Sequence, residues 1–118
     1  MTEEEETIKI ALKRGKELSG KIFSEETKED IQRDVESFTK YGCVQLNKFY
    51  EDTLKTMKIV RKEIDKREEE HKKGLRNINT TNENDEYYTL LGYLEIEEIY
   101  KDDIEKEAKQ MNCELKKL

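Results

Sequence analysis

The sequence predicts an all-α fold, an elongated, coiled-coil-like bundle built on a long central helix, and three observations carry that prediction. Charged residues make up 44% of the chain and apolar residues 33%, against about 25% and about 45–50% in ordinary globular domains. Proline is absent, and Ala, Glu, Lys, Leu and Arg together supply 57 of 118 residues. That composition belongs to long helices when a helical period accompanies it and to disorder when none does. The period is present: apolar residues recur on one helical face from Val35 to Ile64.

Three helices follow, over about 3–19, 25–73 and 85–117, with a polar linker at 75–84, in a single domain of 118 residues. The first carries Ile8, Ala11, Leu12, Gly15 and Leu18, then Ile22. Its opening run of four glutamates suits the positive end of a helix dipole. The second starts behind Ser24, an N-cap followed by Glu25 and Glu26. Its stripe runs Val35, Phe38, Gly42, Leu46, Phe49, Thr53, Met57, Val60, Ile64, and then Glu68 and His71. The steps of this stripe fit an eleven-residue repeat, which keeps one face on a nearly straight helix. Lys72, Lys73 and Gly74 supply a C-terminus, with Leu75 placed to fold back on the last turn. Such a helix spans about 70 Å at ~1.5 Å per residue. Asn84 or Asp85 caps the third helix. Its first half has apolar groups on more than one face, and its second narrows to Ile104, Ala108, Met111, Leu115 and Leu118.

The short linker predicts an antiparallel hairpin of the second and third helices, with paired residue numbers summing to about 160. The first helix then lies on residues 25–42, and Gly42 marks the junction between the two halves of the long helix. Charge agrees with that register: residues 54–67 carry six bases against two acids, and residues 94–107 carry seven acids against two bases. Flanking charges of this kind disfavour wrong registers.

The same residues exclude several functions. No glycine-rich phosphate loop, nucleophile elbow or paired-cysteine zinc motif occurs, so no enzyme and no cofactor are expected. The net charge of −6 opposes direct nucleic-acid binding. No apolar run approaches the ~20 residues needed to cross a bilayer. With no secretion signal, an intracellular, cytoplasmic protein with reduced Cys43 and Cys113 is expected.

Glu68 and His71 form a Glu-x-x-His pair, the spacing of di-iron bundle ligands. With one histidine in the chain, such a site requires a dimer, with Asp85 or Glu86 adding carboxylates. The plainer reading is a thinning core at a wet hairpin tip. Tyr87, Tyr88, Leu91, Tyr93, Leu94, Ile96 and Tyr100 exceed what one seam requires and fit an interface core. The expectation is therefore a non-enzymatic protein–protein interaction module, a homodimer or a subunit of a larger complex. The alternatives are a phage or viral inhibitor acting through an acidic surface and a dimeric metal-binding bundle.

Overall fold

The computed structural model describes residues 2–77 and 79–116, leaving aside the side chain of Glu83. It is all-α, 79% helical and without a strand among the described residues. The helices number four rather than three: α1 (Glu3–Glu17), α2 (Glu25–Thr39), α3 (Cys43–Lys72) and α4 (Thr81–Gln110).

Gly42 is what cuts the expected long helix in two. Its φ of 89° and ψ of 179° lie in a region open essentially to glycine alone. The last turn of α2 closes as Tyr41 N–H donates to the Phe38 carbonyl and Gly42 N–H to that of Thr39. The chain then reverses, and the Phe38 ring packs on Phe49 with centroids 4.3 Å apart. The longest axis of the molecule is 49 Å, too short for a straight helix over 25–73 and close to the ~45 Å of a 30-residue helix.

Freed of residues 25–42, the seam of α3 has a different period. Its buried residues are Leu46, Tyr50, Thr53, Met57, Val60, Ile64 and Arg67. These alternate steps of four and three, which is a heptad and the pattern of left-handed helix pairs. The eleven-residue period arises only when the stripe is carried through Gly42 and Phe49 stands in for Tyr50. Thr53 is tolerated in the seam because its hydroxyl donates to the Phe49 carbonyl at 2.9 Å.

Helix α4 returns antiparallel to α3. The pairs Arg67–Glu86, Arg61–Glu98 and Tyr50–Glu105 give number sums of 153, 159 and 155, close to the expected register. Its cap is Thr80 rather than Asn84 or Asp85, and it ends at Gln110 rather than 117. Leu118, the last residue of the expected stripe, lies outside the described residues.

The first helix is not where the sequence put it. Helix α1 packs on α4 and α3 with its backbone away from that of α2, while α2 packs on α4 and α3. Close approach explains the choice. A Cβ on Gly15 would stand 2.7 Å from the Thr89 carbonyl oxygen, so only glycine lets α1 settle on α4 there. Two core clusters result. One joins α1 to the hairpin-tip half through Ala11, Val60, Ile64, Leu90 and Tyr93. The other joins α2 to the opposite half through Ile31, Val35, Leu46, Tyr50, Ile96 and Ile104.

Charge follows this packing. Glu3 and Glu4 of α1 reach Lys55 and Lys62 at 2.8 and 4.0 Å, and Glu98 of α4 reaches Arg61 at 3.8 Å. The basic face of α3 is thus answered by two helices. All these side chains are well exposed, so the pairs favour the register more than they stabilise the fold. Gly74 closes α3 as expected, with Leu75 N–H donating to the Glu70 carbonyl at 2.8 Å and Gly74 N–H to that of His71. Leu75 itself stays exposed rather than folding back.

Candidate functional site

Because α4 carries α1, α2 and α3 on different faces, its surplus apolar residues are largely consumed inside the molecule. Tyr93 and Ile96 are buried. Tyr87, Leu91, Leu94 and Tyr100 are half-buried, and Tyr88 alone of the seven proposed interface residues is exposed, at 61%. The seven do not form one outward face.

Two of their phenols, Tyr87 and Tyr100, donate to carboxylates. Tyr87 donates to Glu68, which holds its pKa up at about 12. Tyr100 donates to Asp34 of α2 at 2.8 Å, and burial with that carboxylate pushes its phenol up. Deeper on α3, Tyr50 donates to Glu105 at 2.8 Å. Burial first and Glu105 second raise Tyr50 to about 12.

Glu68 and His71 are thereby accounted for by the protein itself. The Glu68 carboxylate takes the Tyr87 hydroxyl, and His71 Nδ1 lies 3.1 Å from the Arg76 carbonyl oxygen. The inward residue at this level is Arg67, 6% exposed, held by Glu63 at 3.4 Å and Glu86 at 2.8 Å. Glu86, considered above as an added ligand, is engaged with Arg67. Among the described residues no group of three or more His, Cys, Asp or Glu gathers as a metal site.

Over α3 and α4, beside α2, lies a groove, and one end of it reaches α1. Its two lobes, about 270 and 340 Å³, share Phe49 and Glu97. Leu90, Glu97 and Ile104 stand at heptad intervals, so Glu97 occupies a seam position between two fully buried residues. Burial pushes the Glu97 carboxyl above its ordinary value. The Tyr93 phenol one turn earlier and then the Arg14 charge pull the other way.

The other end of the molecule holds a covalent clip. Cys43 and Cys113 form a disulfide with Cα atoms 5.6 Å apart, not the reduced pair expected. Gly42 places Cys43 at the first turn of α3 instead of mid-helix. Asn112, at φ 55°, turns the end of α4 back so that Cys113 N–H donates to the Ala108 carbonyl. Asn47 secures the tail: its amide donates to the Glu114 carbonyl at 3.1 Å, and its carbonyl accepts from Lys116 N–H at 2.9 Å.

Around the clip, large apolar side chains face outward. Tyr41 is 71% exposed, Val44 77% and Met111 37%. Residues 40–48 contain two lysines and no acid, and residues 109–116 two lysines and one glutamate. This is a local excess of three positive charges on a chain of −6. The heptad placement of Glu97 and the aromatic-glycine-cysteine run at 41–43 were the sequence signals for these two regions. Among the described residues, no helix is long and apolar enough to cross a membrane. Comparison with protein-family models, with characterised proteins and with solved structures finds no match.

Proposed function

We propose that this chain is a non-enzymatic helical interaction module that docks an acidic, partly apolar segment of a partner protein at its disulfide-clipped end. The observation that carries this reading is the outward group Tyr41, Val44 and Met111 set among lysines on an otherwise acidic molecule. Exposed apolar groups held on a rigid frame lose little entropy on binding. The surrounding charge selects a partner of opposite sign and speeds encounter. An end-to-end homodimer is disfavoured by the same charges, because Lys40, Lys109 and Lys116 of two copies would face one another. The bridge fits an oxidising setting rather than the cytoplasmic one expected from sequence.

The test is selection from a displayed library of random peptides against the oxidised protein. Enrichment of sequences combining Asp or Glu with large apolar residues is expected, with binding lost in a Tyr41→Ser, Val44→Ser double variant that keeps its helical circular dichroism. Enrichment of basic sequences, selection unaffected by the double variant, or a wild-type chain that sediments as a dimer through this end would overturn the reading.

A further inference from the structure

The groove over α3 and α4 sets aromatic rings around a carboxylate. Aromatic rings line it: Phe38 and Phe49 in one lobe, Phe49, Tyr93 and Tyr100 in the other. The rings are continuous, with Phe49 4.3 Å from Phe38 and 5.8 Å from Tyr100 between centroids. Glu97 stands at the waist shared by both lobes, where the Tyr93 phenol and the Arg14 charge act on it but Arg14 closes no ion pair with it. A carboxylate in a seam position, where Leu90 and Ile104 bury fully, lowers stability unless a counter-charge answers it. Ring faces carry negative electrostatic potential and attract cations. Carboxylate and rings together therefore favour one kind of occupant, a cation with an apolar skin.

We infer that this groove binds an alkylammonium group, its charge against Glu97 and its methylene or methyl surface against Phe49, Tyr93 and Tyr100. The two lobes, about 340 and 270 Å³, lie at the small end of ligand sites, which begin at roughly 300 Å³, and suit a group of a few heavy atoms. Other charges facing the groove are Arg14 from α1, Asp34 from α2, and Lys48 and Asp52 from α3. With Glu97 they leave one net negative charge, so an ammonium ion is favoured over an anion. The ammonium has two sources, a free amine or a lysine side chain of a protein, and the chemistry of recognition is the same for both.

The experiment titrates the wild-type protein with tetramethylammonium, butylammonium and the amide of Nα-acetyl-lysine, following backbone amide resonances, with sodium chloride at matched ionic strength as reference. Saturable shifts centred on Phe49, Tyr93 and Glu97 are expected with the ammonium ions and not with sodium. Binding by the lysine derivative as strong as by butylammonium assigns a side-chain source, and binding by the free amines alone assigns a small-molecule source. Affinity should fall as pH drops through the raised titration of Glu97, since only the ionised carboxylate holds the cation. Glu97→Gln should weaken binding at least about tenfold, the scale of losing one desolvated charge contact, with helical content unchanged. Phe49→Leu should weaken tetramethylammonium more than sodium-matched controls shift. Shifts identical in sodium chloride, shifts located away from the groove, or full binding by Glu97→Gln would overturn the inference. The wild-type titration decides the matter even where a variant fails to fold.

Discussion

At the scale of the residue, two positions carry more of the structure than their types suggest. Gly42 has open space where a Cβ would go, so Gly42→Ala meets no clash. It should nevertheless cost about 1–3 kcal/mol, because φ 89° with ψ 179° is strained for any residue with a Cβ. Urea unfolding measures this, and a neutral result would show that the turn adopts another conformation. Glu97 behaves in the opposite sense. Its carboxyl is raised above the ordinary 4.5 by burial, so the folded state binds the proton more tightly than the unfolded chain. Its contribution is therefore favourable below about pH 4.5 and is lost as pH rises through the raised value. Glu97→Gln should stabilise the protein at neutral pH, with the gain shrinking in acid; melting temperatures across that range check the sign. The phenols give a third expectation. Tyr50 and Tyr87 are held at about 12, and Tyr93 and Tyr100 are pushed higher still. Four of six tyrosines should resist ionisation beyond pH 10 in an absorbance titration. Stability should fall as pH rises through their raised values.

At the scale of the element, two helix ends were legible, at Ser24 and Gly74, while both ends of α4 and the two ends flanking Gly42 were not. Ser24 accepts from Thr27 N–H, and Gly74 closes α3, because caps are local chemistry written in adjacent residues. The α3–α4 register was legible too, since apolar and charge patterns both constrain it. The break at Gly42 was not. A glycine in a long apolar stripe reads equally as a bend or a reversal, and only tertiary packing chose reversal. Missing it hid the heptad of α3 and made α4 look over-supplied with apolar groups that α1 and α2 in fact cover. Of the proposed interface only Tyr88 is left exposed for that reason, while Glu97 was overlooked because a glutamate on a charged helix passes for solvent-facing. The seam also contains Arg67, whose removal and whose isolation have different consequences. Glu63→Gln with Glu86→Gln leaves a buried cation with fewer partners, and should destabilise more than Arg67→Met, which removes the charge and keeps the volume. Chemical denaturation of both variants tests the order.

At the scale of the molecule, the disulfide and the reversal act together. The bridge closes a loop across 70 positions, for which restricting the unfolded chain is worth about 4 kcal/mol. Reduction should lower the melting temperature and loosen the turn carrying Tyr41 and the first turn of α3 carrying Val44. Both binding proposals depend on the reversal at Gly42, which lays α2 beside the groove and brings the ends of α2 and α4 to the clipped end. The most direct test is a distance between spin labels carried by unnatural amino acids at Glu29 and Lys58, both exposed. The folded-back arrangement places them on neighbouring helices, whose axes lie roughly 10 Å apart, and predicts a distance within about 30 Å with label arms included. A continuous helix from 25 to 73 would separate their backbones by about 43 Å, and a distance near or above that value would contradict the account.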